Sequence, residues 1–130
     1  MHKESINLTE AEWSVMECLW EQSPRTGREV TQCLEKKSGW SRSTTLTLLS
    51  RLEAKGAVSV NSEGSKKTFI PILKREDAAL HETENLLSRV YHGSLSMLVS
   101  SLTKKQALPQ SEIDKLYAML KELEGGKSDG

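Results

Sequence analysis

Trp40-Ser41-Arg42-Ser43-Thr44-Thr45-Leu46-Thr47-Leu48-Leu49-Ser50-Arg51-Leu52 is the stretch that decides the fold of this 130-residue chain. Wound as a helix, it gathers Leu46, Leu48, Leu49 and Leu52 on one side and Ser43, Thr44, Thr47, Ser50 and Arg51 on the other. A solvated face would carry long Glu and Lys side chains, whereas this one carries short hydroxyls and a guanidinium. Short donors permit close approach to the floor of a DNA major groove, and the fork of an Arg matches the acceptor edge of guanine. The stretch reads as a candidate recognition helix, with Ser41, Arg42, Ser43, Thr44, Thr47 and Arg51 as candidate DNA contacts.

Upstream, Thr9-Glu10-Ala11-Glu12 spells a capping box, and Ala11, Val15, Met16, Leu19 and Trp20 recur at helical spacing up to about Gln22, where Pro24 ends the element. A second box, Thr26-Gly27-Arg28-Glu29, opens a helix with Val30, Cys33 and Leu34 inward and Ser38-Gly39 as its stop. Ser41 caps the third helix, and Gly56 after Lys55 supplies a left-handed end. Trp40, in the link between the second and third helices, reads as a core plug or a short strand residue, with stacking on sugar-phosphate as the competing reading. Beyond Gly56 the period changes to two. Val58 and Val60 alternate with polar residues, Ser62-Glu63-Gly64-Ser65 supplies a turn, and Lys66 to Ile72 returns as a strand. The expected hairpin leans on the helices through Val58, Val60 and Ile70, with Lys66 and Lys67 at its base as candidate phosphate contacts. Three helices followed by a hairpin is the winged helix-turn-helix order, expected over residues 1–73.

The formal net charge is zero, which argues against nucleic acid, but its distribution reverses the argument. Residues 36–75 carry nine Lys and Arg against Glu53 and Glu63, a surplus of seven, between two net acidic flanks. Phosphate contacts act locally, so a basic segment can hold a polyanion within a neutral chain. The two cysteines, Cys18 and Cys33, lie in apolar periodic stretches without ligand partners at metal spacing and are expected as buried thiols of a reduced, cytoplasmic protein. No metal site and no cofactor is expected. Met1 to Asn7 lacks the apolar core of a signal peptide, and no stretch is apolar enough for a membrane span. An enzyme is not expected: His2, His81 and His92 are scattered, and no Ser-His-Asp set, paired Glu or glycine-rich phosphate loop has supporting context.

From Lys74 onward helix formers dominate. Ala79, Leu80, Leu86, Leu87, Val90 and Tyr91 form one stripe, Leu95, Leu98, Val99 and Leu102 a second past Gly93, and Ile113, Leu116, Tyr117, Leu120 and Leu123 a third after Pro109. Residues 74–124 are expected as three helices, with 125–130 a disordered tail. With only 36% hydrophobic residues, the first domain cannot cover so much stripe, so a second copy is expected to do so. Leu87, Tyr91, Leu95, Leu98, Ile113, Leu116 and Leu120 are the candidate dimerisation residues. The fold class expected is mainly α, a winged helix-turn-helix domain plus a C-terminal helical dimerisation domain.

Leu8-Thr9-Glu10-Ala11-Glu12-Trp13 with Val15-Met16 and Leu19-Trp20, then Trp40 to Thr45, Thr47 to Leu52 and Lys55-Gly56, resemble the BlaI/MecI penicillinase-repressor family over about residues 6–123. The resemblance implies a dimeric winged-helix transcriptional repressor on a dyad DNA operator of β-lactamase or antibiotic-resistance genes. It also implies release through a membrane sensor-protease pathway that cuts the dimerisation helices, without direct membrane binding by the repressor. The matching cut lies in Leu98-Val99-Ser100-Ser101-Leu102, between Ser101 and Leu102, where the best-known members carry Asn-Phe. A copper-responsive branch ends in a cysteine cluster, and this chain has no Cys after Cys33. The competing expectations are a winged-helix regulator of other genes that senses a small molecule, and a module used for protein contacts.

Overall fold

The structure, a computed structural model, describes residues 6–105 and 107–129, with side chains as far as Gly125. It divides into two compact units, one ending at Asn85 and the other starting at Leu86.

The first unit begins with helix α1 (Glu10–Glu21), started by the capping box read from the sequence. The Glu12 amide donates to Thr9 Oγ1 at 3.1 Å, and the Thr9 amide donates to Glu12 Oε1 at 2.9 Å. Strand β1 (Arg25–Thr26) leads into α2 (Gly27–Ser38), where Thr26 and Glu29 repeat the reciprocal cap at 3.1 and 2.8 Å. Gly39, at φ +70°, ends α2 in the left-handed region. Helix α3 (Arg42–Lys55) starts on Ser41, whose hydroxyl accepts from the Thr44 amide, and stops at Gly56, φ +85°. Val15, Met16, Leu19, Val30, Leu34, Leu49 and Leu52 close the core between the three helices, each at most 1% exposed. Trp40 is half-buried against this core and lies in no strand.

Strands β2 (Val58–Asn61) and β3 (Thr68–Pro71) form the hairpin, and β1 pairs with the outer side of β3 to give a three-stranded antiparallel sheet in the order β1-β3-β2. The third strand corrects the two-stranded expectation. Two residues carry too little periodicity to read as a strand, and β1 exists only because Arg25 and Thr26 lie opposite Phe69 and Thr68. Register corrects a second expectation. Val60 pairs with Phe69 and Ser59 with Ile70, so Phe69 turns inward, 8% exposed, while Ile70 faces out, 39% exposed. The last rung is Asn61 with Thr68, and Asn61 Oδ1 accepts from the Glu63 amide at 2.9 Å, turning the chain out of the ladder. Lys66 and Lys67 therefore sit in the loop at the hairpin tip, not at its base. The whole is a winged helix-turn-helix.

Helix α4 (Arg75–Tyr91) starts in the first unit, which extends past the residue-73 boundary read from the sequence because the first turns of α4 pack back on it. Ala78 is 4% exposed, Arg75 donates to both Glu17 carboxylate oxygens at 3.2 and 3.0 Å, and the Asn7 side-chain oxygen lies 2.7 Å from His81 Nε2 and 3.0 Å from Asn85 Nδ2. The second unit holds the end of α4, α5 (Leu95–Lys104) and α6 (Gln110–Asp129). Gly93, φ +84°, turns the chain, and Ser94 caps α5 by accepting from the Met97 amide at 3.2 Å. Helix α6 runs to Asp129, past the residue-124 boundary read from the sequence; Gly125 is not among the left-handed glycines, and Gly130, the last residue of the tail expected over 125–130, lies outside the described residues.

The cysteine expectation is also corrected. Cys18 of α1 and Cys33 of α2 are joined as a disulfide, with Cα atoms 6.7 Å apart. Helical periodicity placed both sulfurs inward but could not show that the α1–α2 packing brings them together.

Candidate nucleic-acid interface

Helix α3 sinks one side and leaves the other bare. Thr45, Leu48, Leu49 and Leu52 are buried, and Ser43, Thr44, Thr47, Ser50 and Arg51 are exposed, so the face read from the sequence is a solvent-facing surface. Its first turn carries a hydroxyl cluster. Ser41 donates to Thr44 Oγ1 at 3.1 Å, and its oxygen lies 3.3 Å from Ser43 Oγ. These groups lie where a helix N-terminus gathers unsatisfied amides, a setting that favours phosphate oxygens.

A second flank of α3, made of Arg42, Leu46 and Ser50 one turn apart, walls an open cleft of about 580 Å³. Thr26, Gly27 and Arg28 at the start of α2 form another wall, and Val60, Phe69, Lys66 and Lys67 of the wing close the third. The floor is apolar and the rim cationic, with Glu53 the one acidic lining residue. Arg42, Arg51, Lys66 and Lys67 are exposed, and no ion pair among the described residues engages them. The structure thus brings Arg42, Lys66 and Lys67 to one cleft and sets Thr44, Thr47 and Arg51 on the neighbouring exposed face of the same helix. Arg28 was not singled out from the sequence. It stands in a capping box that explains itself locally, and only the docking of α2 against the wing gives it a place at the rim.

Packing also redistributes the basic surplus. Lys55 donates to the buried Glu12 at 2.5 Å, Lys37 pairs with Glu21 at 3.1 Å and Arg75 with Glu17, so three of the nine cations have carboxylate partners within the first unit. Burial pushes the Glu12 carboxyl up, but the Lys55 ammonium and the Thr9 amide outweigh it and hold it below the ordinary range. The Arg75 fork and the Trp13 indole N–H do the same for Glu17 against a smaller effect of burial.

The sequence profile described as "Penicillinase repressor" matches residues 8–122. The chain belongs to the penicillinase-repressor family. A penicillinase repressor of Bacillus licheniformis is 32% identical over 127 residues, spanning 98% of this chain and 99% of its own length. The methicillin resistance regulatory protein MecI of Staphylococcus aureus strain N315 is 25% identical over 120 residues, 92% of this chain and 98% of its own. Among solved structures, the DNA-binding domain of the repressor BlaI is 35% identical over 55% of this chain and 88% of that one, with a TM-score of 0.51. The Bacillus licheniformis BlaI monomer in complex with the blaP half-operator is also 35% identical, over 55% of this chain and 87% of that one, with a TM-score of 0.50.

In this penicillinase-repressor family member the second unit exposes apolar surface. Helix α5 has no buried residue, and Leu95, Leu116, Leu120 and Leu123 are between 37% and 62% exposed. With Val99 and Ile113 they line an apolar groove of about 530 Å³ between α5 and α6. Of the other candidate dimerisation residues, Leu87, Tyr91 and Leu98 are half-buried within the unit, outside the groove lining. Ser101 and Leu102 lie exposed near the C-terminal end of α5, and the Tyr91 hydroxyl donates to Ser101 Oγ at 3.4 Å. No cluster of metal-binding side chains occurs among the described residues, and none of their helices is long and apolar enough to cross a membrane.

Proposed function

We propose that this chain is a DNA-binding transcriptional repressor that occupies a dyad operator as a homodimer and controls a β-lactamase or related antibiotic-resistance gene. The observation that carries the reading is the bare hydroxyl-and-guanidinium face of α3 beside a cationic cleft, in a chain that matches penicillinase repressors over nearly its whole length. In this reading α3 enters the major groove, Arg42 and Arg51 reach base edges or phosphate, and Ser41, Ser43, Thr44 and Thr47 make short donor contacts. Lys66 and Lys67, carried on the wing loop, take the flanking phosphates.

A single copy neutralises few phosphates and binds weakly. Two copies on one dyad add their binding energies less the cost of association, which makes dimerisation the control variable. The apolar α5–α6 groove supports a second copy as its cover, because exposed apolar area of this kind marks association surfaces. Half-sites on one face of the duplex then lie roughly 10 bp, or a multiple of it, apart. Cleavage between Ser101 and Leu102 would cut Leu95 and Val99 from the α6 side of the groove and so lower operator affinity without touching a DNA contact.

Fluorescence anisotropy of the full chain on a dyad-bearing promoter fragment and on random DNA tests the reading. A preference for the dyad by at least about a thousandfold, falling steeply with salt, is the result expected of a specific repressor. Equal binding to both, or none, would replace it with a protein-contact module.

A further inference from the structure

The joined pair Cys18–Cys33 is chemistry that DNA binding does not use. Its two residues differ in exposure. Cys18 has no exposed surface, whereas Cys33 is half-buried and forms part of the wall of an open surface cleft of about 530 Å³ with Gln22, Arg25, Glu29, Gln32 and Lys36. The chain has no other cysteine to compete for either sulfur. The pair also lies at a mechanical junction, because α2 connects α1 to the DNA-facing elements. A Cβ placed on Gly27, at the first turn of α2, would meet Leu46 of α3 at 3.3 Å and the Phe69 ring of β3 at 3.7 Å.

We propose that Cys18–Cys33 is a thiol–disulfide exchange site, opened and closed by low-molecular-weight thiols and disulfides that reach Cys33 through this cleft, and that its state sets the stability of the first unit. The proposal rests on the repressor reading in one respect only. A repressor works where its DNA is, and disulfides in a reducing compartment are commonly transient or redox-sensing.

Opening begins when a small thiolate attacks Cys33 Sγ. A new S–S bond forms between them, the Cys18–Cys33 bond breaks, and Cys18 leaves as a thiolate that takes up a proton. A second small thiolate attacks the small-molecule sulfur of the mixed disulfide and releases Cys33 as a thiolate. Overall, two small thiols are oxidised to one small disulfide while the protein disulfide is reduced to two thiols. Closing is the reverse, with the small disulfide as oxidant. The bond ties residues 15 apart in sequence, so it limits the unfolded chain, while Val15, Leu19, Val30 and Leu34 keep α1 on α2 in either state. Reduction therefore loosens the unit without dissolving it.

The test uses the full chain in reduced and oxidised glutathione, read by intact and peptide mass after alkylation and by thermal unfolding. The midpoint is expected to fall by roughly 10 °C on reduction. Cys18→Ser is expected to take a glutathione adduct on Cys33 at least about tenfold faster than Cys33→Ser takes one on Cys18, since exposure governs exchange. Should either variant fail to fold, limiting glutathione on the unsubstituted chain is expected to leave its mixed disulfide on Cys33. Adducts on Cys18, comparable rates at the two sulfurs, no adduct at either, or a midpoint indifferent to reduction would each overturn the proposal. No DNA enters these measurements, so a chain that failed to bind an operator would leave their result intact.

Discussion

Glu12 holds three parts of the first unit at one point: its own helix start through Thr9, the last turn of α3 through Lys55, and the N-terminal segment, because Lys55 also donates to the Asn7 carbonyl at 2.8 Å. Its carboxyl and that of Glu17 lie below the ordinary value of 4.5 when folded, so the stabilisation they give is complete above that value and is lost as pH falls through the folded values. Equilibrium urea unfolding from about pH 3 to 7 should show stability dropping below pH 4.5. Glu12→Gln should cost about 1–3 kcal/mol at neutral pH and flatten that drop, since it removes the charge yet keeps the shape. An unaltered pH slope in this variant would assign the titration to Glu17. Thr45 presents the opposite case: wholly buried on the inner side of α3, its hydroxyl has no hydrogen-bond partner among the described residues. Thr45→Val exchanges the hydroxyl for a methyl of like volume, and denaturant titration should show a gain of about 1 kcal/mol. On the outer side of the same helix, Arg51→Ala should lose about 1–3 kcal/mol of operator binding if the guanidinium grips a base, with little change on random DNA. Equal loss on both fragments in competition titrations would make Arg51 a phosphate contact.

Each helix of the first unit is bounded by interactions that span three to five residues, and that is why their starts and stops could be read from sequence. The stop of α3 illustrates the energetics. Gly56 sits at φ +85° with its amide bonded to Glu53, and the Ala57 amide reaches back to the Leu52 carbonyl at 2.9 Å. A Cβ there meets no neighbour, so a substitution is penalised by backbone conformation alone. Gly56→Ala should lower stability by about 1 kcal/mol in thermal or urea melts and leave DNA contacts in place. A cost near zero would mean that the turn has relaxed into another conformation. The wing was less legible than the helices. The alternation of Val58 and Val60 fixes the phase of β2, but the phase of β3 depends on which residues of the two strands lie opposite, and the Asn61 to Thr68 rung put Phe69 inside where Ile70 was expected.

At the scale of the whole molecule, the two units divide the labour: the first forms its own core, and the second leaves an apolar groove open. Leu120→Glu places a charge in that groove at a residue already 56% exposed, so it should leave the first unit folded. It should yield a monomer by sedimentation equilibrium and weaken binding to a dyad fragment by at least about tenfold, while a half-site fragment is bound as before. A variant that stayed dimeric would move the interface elsewhere. By itself the sequence determined the starts and stops of the first three helices, the exposed hydroxyl face of α3 and the order of three helices, hairpin and C-terminal helices, because caps, left-handed glycines and hydrophobic periods act between residues close along the chain. Only the tertiary structure decided the pairing of β1, the inward turn of Phe69, the place of Arg28 on the cleft rim, the loss of Lys37, Lys55 and Arg75 to ion pairs, and the joining of Cys18 to Cys33. Each of these depends on residues distant in sequence being brought together by the fold, and local pattern carries no record of which distant residue will be met.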